Sequence, residues 1–263
     1  KIKTKKMALD AGIRVPELYG TIATEQGIST LRKVVDTHRD FVIKPAEGAG
    51  GDGIMVIADR FEDYFRSASG RIITLEELEH HISGIISGIY SLGGHRDQAL
   101  IEYRVTSTEL FKRISYEGVP DIRIIVLKGY PVAAMLRLPT RQSQGKANLH
   151  QGAIGVGLDL STGVTLDGTW LNRKIQRHPD TANAVAGLTV PDWEDCLSLA
   201  ARCYDLTGLG YLGVDLVMDR DHGPMMLELN ARPGLNIQIA MDDGLLRRCR
   251  IIEDYLESVG DKD

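Results

Sequence analysis

The sequence has little cysteine and no long hydrophobic run. Its three cysteines, Cys196, Cys203 and Cys249, form neither a CxxC pair nor a spacing that a histidine completes. This argues against a disulfide framework or a cysteine zinc site and favours a reducing, cytoplasmic compartment. No apolar stretch approaches the roughly 18 residues of a membrane-spanning helix, and residues 1–6 are not followed by the apolar run of a signal peptide. The sequence therefore predicts no membrane insertion.

Positive charge is not in excess either. The chain has 31 Lys and Arg against 36 Asp and Glu, a net charge of −5, which argues against nucleic acid as a partner. The hydrophobic content of 43% is ordinary for a globular protein, and 263 residues suffice for one large domain or two smaller ones. Because the chain begins with lysine rather than methionine, we expect further sequence upstream of Lys1.

Strand and helix patterns alternate along the chain, and some strands are joined by short turns that indicate antiparallel pairing. The sequence therefore predicts an α+β fold. We expect residues 1–38 to form an N-terminal helix and a connector. Residues 39–105 are predicted to form a small lobe, and residues 106–263 a larger one.

A helix is predicted to begin after Thr74. Thr74 and Glu77 have the spacing of a capping box, and the apolar residues that follow recur on one helical face as far as Ile89. His80 and His81 are adjacent, so they face different sides of this helix. We interpret both as surface residues.

The most informative pattern is a hairpin near the end of the chain. Glu228 and Asn230 are two residues apart in an apolar strand, so their side chains leave the same face. The turn at residues 219–223 can bring Asp215 opposite them. Two carboxylates and an amide are hard oxygen donors that suit magnesium, with manganese as the alternative. A hairpin with polar edges is the simpler interpretation, but unpartnered buried carboxylates are costly, so we favour the metal.

A second pattern is the glycine-rich loop Gly48-Ala-Gly50-Gly51-Asp-Gly53. It matches GxGxxG, but a dinucleotide site needs a helix directly after the loop, and a β-branched run follows here. A glycine loop between two strands instead indicates a flap whose backbone N–H groups can bind phosphates. Lys44 ends the preceding strand, so we expect its charge to bind the nucleotide phosphates rather than to lie at the surface.

A protein kinase also has a glycine-rich flap, and two segments, His38-Arg-Asp40 and His95-Arg-Asp97, match its catalytic triplet. The kinase order is not present, because one triplet precedes the loop and the Asn and Asp-Phe-Gly elements are missing. We interpret both triplets as solvated loop segments.

The order of these elements resembles the ATP-grasp superfamily, and the alpha-L-glutamate ligase, or RimK-like, branch in particular. Besides Lys44 and the flap, the matching segments are Asp121-Ile-Arg123, Val132-Ala-Ala134 with Arg137, Asn148-Leu-His150, Gly213-Val-Asp215 and Glu228 to Leu235. The resemblance covers nearly the whole chain. It implies an ATP-grasp fold in which two α+β lobes hold ATP between them, and the N-terminal domain of the superfamily is expected to be absent from this sequence.

The resemblance also implies a role for each matching residue. The nucleotide would be bound by Lys1, Lys44, Gly48, Gly50, Gly51, Gly53, Glu102, Tyr103, Asp121, Lys146 and Asn148. In this set Glu102 and Tyr103 match the hinge dipeptide that meets the adenine. The magnesium ligands would be Asp215, Glu228 and Asn230.

The implied activity is that of an ATP-dependent carboxylate-amine ligase. It would form an amide or peptide bond through an acylphosphate, adding glutamate or a similar amino acid to a small molecule, a peptide or a protein tail. Arg123 and Arg137, on neighbouring strands, would hold the γ-phosphate or the substrate carboxylate. Surface ion pairs are the alternative for both arginines. Arg232 would anchor an acidic substrate, and His150 is either a base for the amine or a loop residue.

Some features depart from the branch. Lys146 stands where arginine is usual, Arg232 replaces a small residue, and residues 60–96 resemble an enlarged helical insertion. These departures leave open an ATP-binding module without ligase activity, and a phosphotransferase is a third class. The sequence also leaves open whether the chain forms a homo-oligomer.

Overall fold

The computed structural model describes residues 1–48, 50–91 and 93–260. The helices are α1 (Ile2–Asp10), α2 (Leu31–Thr37), α3 (Leu75–Ile86), α4 (Glu109–Arg113), α5 (Trp193–Thr207), α6 (Ile237–Met241) and α7 (Leu245–Val259). The strands are β1 (Leu18–Ile22), β2 (Phe41–Pro45), β3 (Met55–Phe61), β4 (Tyr64–Ser67), β5 (Ile72–Thr74), β6 (Ala99–Glu102), β7 (Asp121–Leu127), β8 (Tyr130–Leu138), β9 (Ile154–Leu158), β10 (Thr165–Trp170), β11 (Arg173–Ile175), β12 (Tyr211–Asp219) and β13 (Gly223–Asn230). Within these residues, each helix is too short or too polar to cross a membrane.

The chain divides into two compact units. The first contains residues 1–2 and 16–104, and the second contains residues 3–15 and the chain from Val105 onward. Most of α1 therefore belongs to the second unit, where Ala8 is buried in the core.

The first unit is built on a six-stranded sheet in the order β1-β6-β2-β3-β4-β5, and its strand pairs are antiparallel. Helix α3 packs on this sheet through Leu78 and Ile82, which share a core with Phe41 and Phe65. The capping box predicted at the start of α3 is confirmed. Thr74 Oγ1 accepts from the N–H of Glu77 at 3.2 Å, and the Glu77 carboxylate accepts from the N–H of Thr74 at 2.8 Å.

Two expectations about this unit are wrong. Ile89 does not continue the apolar face of α3, because the helix ends at Ile86 and Ile89 is 71% exposed. Gly88, with φ +90°, takes the left-handed conformation that typically ends a helix. The expectation that residues 60–96 form a helical insertion is wrong for their first part, since among the described residues of this stretch only those of α3 form an α-helix. Their first part supplies strand residues of β3, β4 and β5, where aromatic and β-branched side chains favour a pleated sheet.

The second unit is built on a seven-stranded antiparallel sheet in the order β11-β10-β9-β8-β7-β12-β13. One face of the sheet packs on α5, and the other packs on α6 and α7. Ile124 of β7 lies in the first core, while its neighbour Ile125 lies in the second. Because strand residues alternate between faces, Asp121 and Arg123 lie on the face that α6 and α7 partly cover. The predicted α+β architecture is confirmed.

Helix α6 approaches the sheet closely where β9 has glycines. A Cβ atom added at Gly157 would lie 2.7 Å from the carbonyl oxygen of Ala240 and 2.9 Å from the Cα of Met241. Backbone atoms cannot move aside as a flexible side chain does, so this contact requires glycine. Since α6 also packs on β8 and β10, the contact fixes the position of this helix over that part of the sheet.

We expect Gly157→Ala to lower the free energy of unfolding by about 1–3 kcal/mol, because the new methyl group must displace the backbone of α6. Gly210→Ala is the matched control, since a Cβ there would have no atom within 4 Å. Urea unfolding of both variants measures the difference. Equal midpoints for the two variants would contradict the close-packing interpretation.

Candidate active site

The predicted metal ligands lie on the adjacent strands β12 and β13. Asp215 is opposite Glu228 in the register, and Gly213 is opposite Asn230. Residues directly opposite each other share a face, and Asn230 shares the face of Glu228 because it is two residues further along. The side-chain amide of Asn230 donates to Asp215 Oδ2 at 3.2 Å. The structure thus brings the three predicted side chains to one patch of the sheet.

Two buried arginines bind the aspartates of this patch. Arg123 donates to both carboxylate oxygens of Asp215, at 2.7 and 2.6 Å. Arg137 donates to both oxygens of Asp121, and its NH2 group also reaches Asp215 Oδ2 at 2.8 Å. The four side chains are between 5% and 13% exposed. The arginines were expected to bind substrate or to form surface ion pairs; their ion pairs exist, but they are buried within the candidate site.

The charges of this cluster are coupled through burial and proximity. Burial raises the pKa of Asp121 to about 6, although Arg137 opposes the rise. Burial also favours a raised pKa for Asp215, but Arg137 and Arg123 outweigh it and hold that pKa below its usual range. Asp215 is therefore the firmly ionised carboxylate of the pair. Within the described chain, the NH1 groups of both arginines make no hydrogen bond, so these groups can donate to an oxyanion ligand.

The donor set fits a magnesium ion. Glu228 is partly exposed and, in the part of the chain that the structure describes, it makes no hydrogen bond or ion pair. Across residues 1–48, 50–91 and 93–260, no three His, Cys, Asp or Glu side chains cluster as a metal site. The third ligand would therefore be an amide, that of Asn230, which together with two carboxylates gives the oxygen chemistry that magnesium prefers.

The predicted nucleotide residues Lys146 and Asn148 lie in the connection from β8 to β9. Asn148 Oδ1 accepts from the N–H of His150 at 3.0 Å and caps a short 3-10 helix, Leu149–Gln151. This contact fixes the Asn148 side chain at the start of that helix. Their predicted roles remain proposals.

A buried histidine that the sequence did not single out supports this connection. His178 is 1% exposed, and its Nε2 donates to the carbonyl of Pro139 at 2.9 Å. Its Nδ1 accepts from the N–H of Asp180 at 3.1 Å, which fixes the neutral tautomer. Burial lowers the pKa of His178. A second proton would have to face a backbone N–H, so the imidazole resists protonation.

In the first unit, Lys44 and Glu102 form an ion pair between the neighbouring strands β2 and β6. Their side chains are 9% and 3% exposed. Both residues are predicted to bind the nucleotide, and no sequence pattern indicates that they pair with each other. Tyr103, the other hinge residue, donates its backbone N–H to Glu17 O at 2.8 Å.

The glycine-rich loop begins beside Lys44, and Ala49 within it lies outside the described residues. Gly50, Gly51 and Gly53 have φ values of +67°, +81° and +73°, a conformation that other residues rarely adopt. Lys1 Nζ donates to the carbonyls of Gly48, at 2.7 Å, and Pro45, at 3.2 Å. The structure therefore brings together the predicted lysine Lys1 and the start of the loop.

Arg232, predicted to anchor an acidic substrate, is not part of the arginine cluster. It lies exposed in the segment after β13 and makes no ion pair within the described chain. It lies two residues beyond the end of β13, and its predicted role as a substrate anchor remains a proposal.

Two comparisons of sequence identify relatives. A family model described as sugar-transfer associated ATP-grasp matches residues 1–254. A curated protein of Maridesulfovibrio salexigens, described as a probable alpha-L-glutamate ligase, is 28% identical over 122 residues. That alignment covers 46% of this chain and 29% of the relative. The predicted resemblance to ATP-grasp proteins is confirmed, while the similarity to the glutamate ligase covers less than half of the chain.

Solved structures share the fold at low identity. The D-alanine–D-alanine ligase of Bacillus anthracis is 15% identical with a TM-score of 0.51, over 99% of this chain and 68% of that one. The ATP-grasp ligase PsnB, solved with a minimal precursor, Mg and ADP, is 14% identical with a TM-score of 0.51. The match covers 96% of this chain and 57% of PsnB. The predicted ATP-grasp fold is confirmed, and the chain spans little more than half of that ligase.

We expect His178 to make stability depend on pH. At a pH above its ordinary pKa of about 6.5, both states are neutral. Below that value the unfolded chain takes up a proton that the folded chain refuses, so the free energy of unfolding falls until the lowered pKa is reached. Between about pH 7 and pH 5, wild type should therefore lose more stability than His178→Gln does. Thermal unfolding measures this, with the exposed His95→Gln as a control that keeps the wild-type slope; equal slopes for all three proteins would refute the assignment.

Proposed function

Because this chain belongs to the sugar-transfer associated ATP-grasp family, we propose that it uses ATP and magnesium to join a carboxylate to an amine. The observation that carries this proposal is the buried cluster of Arg123, Arg137, Asp121 and Asp215, whose free guanidinium N–H groups lie on the sheet face of Glu228. Cationic donors beside a set of hard oxygen ligands are what a triphosphate bound with a divalent cation requires.

The proposed reaction has two steps. A substrate carboxylate oxygen attacks the γ-phosphorus of ATP, ADP leaves, and an acylphosphate remains. The amine nitrogen then attacks the acyl carbon, displaces phosphate and loses a proton to solvent, forming the amide. The difficulty is the first step, since two like unit charges about 4 Å apart repel by roughly 4 kcal/mol at an effective dielectric near 20.

In this scheme, Arg123 and Arg137 orient the γ-phosphate or the attacking carboxylate through their NH1 groups and offset the developing charge. Asp215, Glu228 and Asn230 would hold magnesium, which when bound supplies further positive charge to the phosphates. Asp215 and Asp121 hold both guanidinium groups in fixed orientations. The chain thus supplies electrostatic positioning rather than a covalent nucleophile.

The first unit would bind the rest of the nucleotide. Lys1, Lys44 and the backbone N–H groups of the glycine-rich loop are proposed to bind phosphates, and Glu102 with Tyr103 the adenine edge. Lys146 and Asn148 of the second unit are proposed to lie near the triphosphate. The ion pair between Lys44 and Glu102 supports a shared role, because removing either partner would leave a buried charge without its counterpart.

The substrates are proposed to be glutamate or a similar amino acid and an acceptor that is a small molecule, a peptide or a protein tail. The probable alpha-L-glutamate ligase among the relatives and the exposed positive charge of Arg232 support an acidic substrate. The family description refers to sugar transfer, so amino sugars belong among the acceptors to be tested.

The experiment is mass spectrometry of products formed from ATP, magnesium, a panel of amino acids led by glutamate, and a panel of amine acceptors. Ligation gives ADP, phosphate and a product with the mass of both substrates less one water. A stable phosphorylated substrate would instead identify a phosphotransferase. Nucleotide binding without ADP formation across the panels would favour a binding module.

We expect Glu228→Gln to reduce ADP formation by about a hundredfold or more, because one charged ligand of the proposed metal site is lost. The fold should remain, with a change in unfolding free energy below about 1 kcal/mol, since Glu228 makes no ion pair in the described chain. Assays of ADP release with a competent substrate pair measure the loss, and Glu257→Gln on the exposed side of α7 is the control. Turnover near the wild-type rate in the Glu228 variant would show that the metal assignment is wrong.

A further inference from the structure

One segment of the first unit contacts both ends of the glycine-rich loop. This segment, here named the brace, comprises the second half of α3 and the connection to β6, residues 81–91 and 93–98. At the far end of the loop, His81 Nε2 donates to the carbonyl of Gly53 at 3.0 Å. His81 was expected to be a surface residue; that expectation is wrong, because its ring is partly buried and lies 5.5 Å from the ring of Tyr90.

Packing reinforces this hydrogen bond. A Cβ atom added at Gly53 would lie 2.5 Å from Cγ of Tyr90, so the tyrosine ring rests directly on the loop backbone. Gly53 has a φ of +73°, which only glycine adopts readily. The far end of the loop is therefore held by one hydrogen bond and one close contact, both from the brace.

The near end of the loop is held by a buried carboxylate. Asp97 is 5% exposed and accepts from the N–H of Glu47 at 2.9 Å, from Ser91 Oγ at 3.0 Å and from the N–H of Gln98 at 2.7 Å. Ser91 also forms an isolated β-bridge with Gly48. The expectation that the segment His95 to Asp97 is solvated is thus wrong for Asp97. A buried carboxylate is tolerated only when donors surround it, so releasing Glu47 would be costly.

The loop between these two anchors is rich in glycine. Gly50 and Gly51 both have positive φ values, and glycine loses more conformational freedom on ordering than any other residue. A ligand that had to order such a loop would lose affinity to that entropy. Contacts from outside the loop that order it beforehand remove this penalty.

We propose that His81 and Asp97 are positioning residues that hold the glycine-rich loop in its phosphate-binding conformation before the nucleotide arrives. They touch the loop backbone, and they act on the nucleotide through it. The consequence for binding rests on the proposed function, namely that this loop binds the phosphates of ATP. The ordering of the loop itself does not.

The first test is hydrogen exchange of the intact protein without nucleotide. In His81→Ala and Asp97→Asn, the peptide that covers residues 46–54 should exchange about tenfold faster than in wild type. Asp97→Asn keeps one acceptor oxygen and nearly the same volume, so it is less prone to misfold than an alanine. His80→Ala, exposed on the same helix, is the matched control and should exchange as wild type does. Peptides from β12 and β13 should be unchanged in every variant, which separates local loosening from unfolding.

The second test is calorimetry with magnesium and a non-hydrolysable ATP analogue. If the binding-competent loop falls to a tenth of its population in His81→Ala, the apparent Kd rises about tenfold. His81→Gln, which places an amide N–H near the position of Nε2, should bind within about twofold of wild type. In turnover assays the KM for ATP should rise more than kcat falls, a split that a general loss of folded protein would not produce.

The two tests separate the failure of this inference from the failure of the proposed function. If wild type binds no nucleotide, the proposed function fails, and the exchange data alone decide whether the brace orders the loop. Loop exchange at the wild-type rate in both His81→Ala and Asp97→Asn would overturn the inference. An equal acceleration in His80→Ala would overturn it as well.

Discussion

The strand register of the second unit depends on four buried charged side chains, Asp121, Arg123, Arg137 and Asp215. None of them could be buried without a partner of opposite charge. Asp121 lies opposite Arg137 in the sheet, and Arg123 lies opposite Asp215, so each charge meets its partner only in one strand register. A slip of β7 by one residue would turn Asp121 and Arg123 to the face of α5, among apolar residues and away from Arg137 and Asp215. Removing a charge from water costs several kcal/mol unless a partner replaces the water. The geometry of the candidate site therefore depends on the strand register of β7, β8 and β12.

The sequence predicted those features of the structure that depend on residues close together in the chain. The capping box of α3, the hairpin of β12 and β13, and the α+β architecture all follow from spacings of a few residues. The sequence did not predict contacts made by distant segments. Lys44 forms an ion pair with Glu102 on another strand, and His81 forms a hydrogen bond with Gly53 in the glycine-rich loop. Neither contact follows from a periodic pattern in the sequence. The prediction for Asp97 is wrong for the same reason. A charged residue is expected to be exposed, and the sequence does not show the hydrogen-bond donors that surround this carboxylate in the fold.

Both units neutralise their positive groups before any ligand is present. In the first unit the ammonium group of Lys44 is paired with Glu102, and in the second unit both guanidinium groups are paired with aspartates. This arrangement keeps the side chains in defined orientations. A ligand that binds these lysine and arginine side chains must then replace or share their carboxylate partners. Such preorganisation is the usual source of electrostatic stabilisation in enzymes.

The arginine cluster has a consequence for the sign of the local field. Arg123 and Arg137 contribute two positive charges, while Asp121, Asp215 and the nearby Glu228 contribute three negative ones. This patch of the sheet therefore has one negative charge in excess, and a bare phosphate approaching from solvent gains nothing from long-range attraction. A divalent cation bound to the polyphosphate would reduce this repulsion, because it lowers the negative charge that approaches the patch. The charge balance of these five side chains therefore favours the metal complex of a polyphosphate over the free polyphosphate in the proposed function.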